Sequence, residues 1–185
     1  AFASCTSLER IVLPDSVQNM GEYAFAECYS LFDVTLSENL NSLSAYAFYN
    51  CGALKEITVP ASVATIGNAS FLNCTSLNRL TIDFTDATAL GLSALVGTHP
   101  SLVILVPEGR QNAFANQWLD YSNRIFDLTE RYGDFVLTAN ESGYTLIQYN
   151  GYASVLDLTT LTVNGKKITE ISDGAVIHDG TEIIR

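Results

Sequence analysis

The chain has 185 residues, 48% of them apolar, and a formal charge of −11. That length and apolar content allow one domain or two small ones, each with a packed core. The acidic balance argues against nucleic acid, whose phosphates require clustered Lys and Arg, and equally against an anionic membrane surface.

Mean hydropathy is positive, yet no stretch approaches the roughly 20 apolar residues that cross a bilayer. No membrane insertion is therefore expected. Ala1-Phe2-Ala3-Ser4 has neither the basic segment nor the apolar run of a signal peptide. This stretch already lies inside a repeat, which predicts that the chain is a piece of something longer. Acidic residues outnumber basic ones 8 to 3 over 1–83, 3 to 2 over 84–126 and 9 to 4 over 127–185. A solvated surface that aids solubility is the plain reading.

The segment 1–83 is periodic. Cys5, Cys28, Cys51 and Cys74 recur at i, i+23, i+46 and i+69, as do Phe2, Phe25, Phe48 and Phe71, and Leu8, Leu31, Leu54 and Leu77. Other columns keep chemical type: Ile11/Val34/Ile57/Leu80, Leu13/Leu36/Val59/Ile82, Val17/Leu40/Val63 and Met20/Leu43/Ile66. Within one unit, Ala47-Phe48-Tyr49-Asn50-Cys51 suits a single helical or 3₁₀ turn. Leu54 to Val59 alternates like a short strand that Pro60 closes, and Val63-x-x-Ile66-Gly67 reads as a turn and a second extended piece. A unit this small cannot bury its own apolar side, so neighbours must stack into a solenoid with one continuous core. Its strands would form a parallel sheet with rungs about 4.8 Å apart.

One thiol per coil in a line gives no tetrahedral cluster, and no C-x-x-C pair exists, so a zinc site is excluded. Rungs about 4.8 Å apart fall inside the Cα range of a disulfide, but parallel Cβ vectors leave the Cβ atoms beyond its usual limit near about 4.5 Å. Buried free thiols acting as small core residues are the expectation, with a thiol titration to decide against disulfides.

After Ile82 the pattern loosens. Leu102-x-x-Leu105-Val106-Pro107 recovers a strand one residue shorter, closing a solenoid of about four coils. In Glu108 to Tyr121, Phe114, Trp118 and Tyr121 lie at i, i+4 and i+7, one face of a helix able to cover the open apolar end. Trp118 is expected in that cap rather than in a ligand platform. The solenoid with its capping helix is assigned to 1–126.

From Arg131 the texture changes. Phe135 to Ala139, a turn through Asn140-Glu141-Ser142-Gly143, and Tyr144 to Tyr149 read as a β-hairpin. Asn150-Gly151 and Asn164-Gly165 are tight-turn signals flanking a strand at Val155 to Leu158. Ile168-x-x-Ile171-Ser172-x-x-Ala175-Val176 restores the repeat signature. The segment 127–185 is thus expected to open a second, truncated array.

The pattern A-F-x-x-C-x-S-L-x-x-I-x-L-P-x-x-V-x-x-I-G, as in Ala24-Phe25-Ala26-Glu27-Cys28-Tyr29-Ser30-Leu31, resembles the BspA-type leucine-rich repeat of bacterial surface proteins. The resemblance covers 1–83 clearly, extends to Val106-Pro107-Glu108-Gly109 and the helix with Trp118 and Tyr121, and touches Ile168–Val176. There the Phe-x-x-Cys element is degraded to Val176-x-x-Asp179. It implies an α/β repeat solenoid: a right-handed leucine-rich-repeat superhelix with short parallel strands and a capping helix, followed by a β-hairpin and the start of a second repeat array. It further implies a secreted or cell-surface bacterial protein, some relatives of which adhere to host or matrix proteins.

No catalytic constellation is legible, and the chain is read as a non-enzyme without cofactor or metal. His99 and His178 share no spacing with each other or with a cysteine, and no phosphate-binding glycine pattern occurs. Asp83 and Asp86 could share a cation, but solvated carboxylates at a break in the repeat are the simpler reading. Asn68-Ala69-Ser70, Asn73-Cys74-Thr75 and Asn140-Glu141-Ser142 match the glycosylation pattern, the first two through the repeat's own consensus.

If Leu8, Ile11 and Leu13 point inward, the residues between them face out along the sheet. The outward columns are then Arg10/Asp33/Glu56/Arg79, Val12/Thr35/Thr58/Thr81 and Pro14/Ser37/Pro60/Asp83. The first would pair its charges rung to rung, Arg10 with Asp33 and Glu56 with Arg79. Such a face is neutral, polar and shallow, suited to a protein or glycan ligand bound by a monomer. Tyr23 and Tyr46 form another candidate stack. Adhesion through Arg10, Val12, Asp33, Thr35, Glu56, Thr58, Arg79 and Thr81 is the leading reading; a spacer, or an accessory domain of an enzyme whose catalytic part lies elsewhere, are the alternatives.

Overall fold

The structure, a computed structural model, describes residues 1–127, 131–132, 135–140, 143–149, 155–159, 161–163, 166–177 and 181–184. The turn signals at Asn150-Gly151 and Asn164-Gly165, with Glu141, Ser142, His178 and Asp179, lie outside the described residues. Two units result, Ala1–Phe126 and Asp127–Arg185.

The first unit is a parallel-strand solenoid. Its rungs are β1 (Arg10–Val12), β2 (Asp33–Thr35), β3 (Glu56–Val59), β4 (Arg79–Ile82), β5 (Val103–Val106) and β6 (Ile125–Asp127). The repeat period sets the register, Ile11 opposite Val34 and Ile57 opposite Leu80. Alternation within each strand sends one side chain in and the next out, so Ile57 and Val59 are buried while Glu56 and Thr58 are exposed. The hydrogen-bonded ladder runs β1-β2 and β3-β4-β5-β6. Its break falls where Asp33 and Glu56 would face each other, and like charges directly opposite destabilise a strand pair.

A second ladder runs along the turns. In each of the first four coils alternate N–H groups donate to the next coil, Tyr46, Phe48 and Asn50 to the carbonyls of Asn68, Ser70 and Leu72. The N–H groups between them close local turns, as Tyr49 does on Tyr46 and Cys51 on Phe48. This zigzag needs left-handed residues at two positions per coil: Tyr23, Tyr46, Ala69 and Ser93 in one column, Ser4, Glu27, Asn50 and Asn73 in the other. A left-handed non-glycine residue costs roughly 1–2 kcal/mol, and the inter-coil hydrogen bonds hold the conformation in place. Gly67 and Gly91 serve a different end, because a Cβ on Gly91 would stand 2.3 Å from the Gly67 carbonyl carbon.

The interior follows from stacking identical columns. Phe2, Phe25, Phe48 and Phe71 form a ring stack with centroids 5.5, 5.4 and 5.6 Å apart and nearly parallel planes. All four cysteines are free. Each inner thiol donates to the phenylalanine carbonyl one coil back, Cys28 to Phe2 at 3.1 Å, Cys51 to Phe25 at 3.1 Å and Cys74 to Phe48 at 3.0 Å. Cys5 differs from expectation: it is exposed on the first coil.

Six rungs, rather than about four coils, make up this unit. The fifth coil is intact but shifted by one inserted residue, so Ile66 bridges Leu90 and Leu80 faces Ile104, both one position beyond the period of the earlier coils. Ile104 and Val106 carry the inward series, and Leu105 stands opposite Thr81 in an outward column. The cap also differs in detail. Helix α1 spans Gln111–Gln117 and buries Phe114; Trp118 leaves the helical region at φ −110° and ψ 60°, and Tyr121 lies in a 3₁₀ turn, Leu119–Arg124. Trp118 still reaches the core end, buried edge-on against Phe114 with its indole N–H donated to the Thr88 carbonyl at 2.7 Å.

The second unit has its own core of Leu137, Tyr144, Leu146, Tyr149, Leu156, Leu158 and Ile168. Strands β7 (Arg131–Tyr132), β8 (Phe135–Asn140) and β9 (Gly143–Tyr149) pair antiparallel in sequence, giving the expected hairpin. Then β10 (Val155–Asp157), β11 (Thr162–Val163), β12 (Lys166–Ile177) and β13 (Glu182–Ile184) follow. Two pairings are parallel, Tyr144 against Ile168 and Val155 against Glu182, each joining positions slightly more than one repeat length apart.

Candidate binding surface

Short strands with alternating side chains put both outward columns on one face of the solenoid. Arg10 Nε lies 3.6 Å from Asp33 Oδ2, and Arg79 Nη1 lies 3.2 Å from Glu56 Oε2, so both rung-to-rung ion pairs read from the sequence are present. Arg10 also stands over the Phe32 ring, 5.3 Å from its centroid, a cation–π contact that the column reading missed. In the next column Val12, Thr35 and Thr58 are exposed, each opposite its neighbour or one rung on.

The face narrows at the fourth rung. Arg79 is buried, and Thr81 is half-buried. The same columns carry apolar Val103 and Leu105 on β5, both buried, so Arg79 stands between Glu56 and Val103 rather than in water. Arg10, Val12, Asp33, Thr35, Glu56 and Thr58 are the accessible members of the eight.

A second polar column lies on the turn side. Tyr23 and Tyr46 stack with centroids 4.7 Å apart, and Tyr49 meets Tyr46 edge-on at 5.9 Å. Beside them Ser4 donates to Glu27 at 3.0 Å, and Asn73 Nδ2 to Asn50 Oδ1 at 3.1 Å. The column ends at Gly97, where a Cβ would stand 2.5 Å from Asn73 Oδ1. Asn68 Oδ1 accepts the Leu92 N–H at 2.9 Å, so the first two glycosylation-like asparagines are both engaged between coils.

Titratable groups elsewhere gather no chemistry. Burial pushes the Cys51 thiol up to about 12, with the neighbouring Cys28 adding to it, and raises Cys28 and Cys74 in the same direction. Such thiols are poor nucleophiles and poor ligands at neutral pH. Burial also raises the Asp83 carboxyl, with Glu38 contributing. Among the described residues no group of three or more His, Cys, Asp and Glu side chains could hold a metal ion. His99 is half-buried and its Nδ1 accepts the Ser101 N–H at 3.1 Å, a local turn contact rather than a free surface imidazole. No described helix is long and apolar enough to cross a membrane.

A model of the BspA type leucine rich repeat region matches residues 1–120 in six copies. A leucine rich cell surface protein from Faecalibacterium prausnitzii superposes with a TM-score of 0.52 at 28% identity, over 62% of this chain and 30% of that one. The T. pallidum leucine rich repeat protein superposes with a TM-score of 0.53 at 29% identity, over 60% of this chain and 50% of that one. This chain therefore covers half or less of the length of either relative. No curated protein matches it.

Proposed function

The chain belongs to the BspA-type leucine-rich-repeat family, and from that premise we propose that it is a non-catalytic binding module of a secreted or surface-attached bacterial protein. Its ligand is a host or matrix protein, or a glycan, held on the sheet face of the solenoid. The supporting observation is the charge of that face. In a chain of net −11, two ion pairs cancel the charges of Arg10, Asp33, Glu56 and Arg79. What remains is a neutral, regularly spaced surface of Val12, Thr35 and Thr58. A neutral patch meets a partner without the long-range repulsion that the rest of the chain exerts on acidic ligands. Hydroxyls repeated along a sheet face suit an extended protein or glycan surface, whereas small molecules take concave pockets.

The parallel pairings of the second unit, Tyr144 with Ile168 and Val155 with Glu182, join positions near but beyond one repeat length and support reading 127–185 as the opening of a second array after a first domain at 1–126. Immobilised matrix proteins and a glycan array test the binding role. At least one ligand should bind, and Thr35→Arg with Thr58→Arg should weaken it by about tenfold or more while leaving thermal unfolding unchanged. Silence on both arrays, or binding indifferent to these substitutions, would overturn the assignment and leave the spacer reading in its place.

A further inference from the structure

The two ladders of the solenoid end differently. On the strand side β6 adds a sixth rung to β5. On the turn side the fourth coil donates the N–H groups of Ala69, Phe71 and Asn73 to the carbonyls of Leu92, Ala94 and Val96. The equivalent donors of the fifth coil are Ser93, Leu95 and Gly97. Ser93 and Gly97 keep the left-handed conformation of Ala69 and Asn73, with φ of 57° and 72° against 52° and 61°. Their N–H groups therefore point onward, away from the fourth coil. The sixth turn offers these donors no matching row of carbonyls, because its chain is wound into α1 and the 3₁₀ turn instead of repeating the zigzag. Among the described residues, no partner accepts from these three N–H groups.

At the Ser93 end of this row lies a groove of about 520 Å³, lined by Leu92, Ser93 and Val96 of the fifth turn and by Trp118, Leu119 and Tyr121. That volume is typical of a ligand cleft, about 300–1,000 Å³. Leu92 is 78% exposed and Leu119 72% exposed, two large apolar side chains held in water at its mouth. Among the described lining residues only Asp120 is charged.

We propose that this end of the turn ladder docks an apolar peptide segment of a partner protein, wound in the same turn as residues 91–97, whose alternate backbone carbonyls accept from the N–H groups of Ser93, Leu95 and Gly97 while its side chains enter the groove. Donors repeated every second residue along this turn match the alternate carbonyls of a second backbone wound the same way, as the fourth coil matches the fifth. Leu92, Val96 and Leu119 then cover the peptide's apolar side chains. Asp120 and the chain's negative charge favour a neutral or basic segment over an acidic one. The structure holds one example of the geometry: residues 91–97 receive the same donor column from the fourth coil.

The probe is accordingly an acetylated peptide copying residues 91–97 with one added C-terminal lysine, titrated into the ¹⁵N-labelled full chain. The amides of Ser93, Leu95 and Gly97 should shift together and exchange with deuterium about tenfold more slowly when bound. Leu92→Asp and Leu119→Asp alter exposed side chains, leave the fold intact, and should each weaken binding by about tenfold or more. The proposal is overturned if the three amides stay unmoved up to the solubility limit, or if both aspartate variants bind as the parent does. It is equally overturned if the shifts fall only on Thr35 and Thr58, which would assign the peptide to the sheet face.

Discussion

Truncating Phe48 to Ala measures what the phenylalanine column contributes. Its ring is fully buried between Phe25, 5.4 Å away, and Phe71, 5.6 Å away. A buried Phe→Ala change costs about 3–5 kcal/mol. Two lost ring pairs, each worth about 0.5–1.5 kcal/mol, place Phe48 near the top of that range. Phe2 is the internal control, 45% exposed with one ring neighbour at 5.5 Å. Half the burial and one ring pair give Phe2→Ala a cost of about 1–2 kcal/mol. Trp118 is the sole tryptophan and is buried against Phe114, so its emission reports unfolding of the first unit in urea. At an unchanged m-value the two variants should differ by about 3 kcal/mol. Equal losses, or a smaller loss at Phe48, would refute the view that the stacked column is the main energetic axis of the solenoid.

Other consequences are open to simpler measurements. Gly91→Ala would set a Cβ 2.3 Å from Gly67 backbone, which can yield only by separating coils; a loss of about 3 kcal/mol or more and a fall of roughly 10 °C in Tm are expected by calorimetry. Ser70 is fully buried and its hydroxyl has no partner, whereas Ala24 and Ala47 fill the same column. Ser70→Ala should therefore stabilise by about 1 kcal/mol in urea, and a loss would show that the hydroxyl is satisfied after all. Ellman's reagent should label one thiol, Cys5, in the native chain and four in denaturant; a second fast thiol would contradict the buried column. The raised Cys28, Cys51 and Cys74 bind their protons more tightly folded than unfolded. Their contribution is complete below the ordinary thiol value of 9.0 and is lost as pH rises toward about 12 at Cys51. Urea midpoints should fall over that window, and less steeply in Cys51→Ala.

The repeat period alone was enough to assign the core, because stacking brings identical positions into van der Waals contact and so selects the same apolar side chain in every coil. Phe48, Cys51 and Leu54 are buried for that reason, and the ion pairs Arg10–Asp33 and Glu56–Arg79 were legible from the same register. The fifth coil was hidden because one inserted residue moved its columns and Leu95 and Thr98 replaced phenylalanine and cysteine. The left-handed turn column carried no glycine signal at Tyr46, Ala69 or Asn73, since inter-coil hydrogen bonds hold those residues where propensity alone would not. The burial of Arg79 depended on β5, whose Val103 occupies its column one coil later. The groove between the fifth turn and the 3₁₀ turn joins residues of two different coils with no shared period, so only the folded chain brings them together. Repetition writes local neighbours into a sequence; where the repetition ends, the neighbours are set by how the chain closes over its last coil.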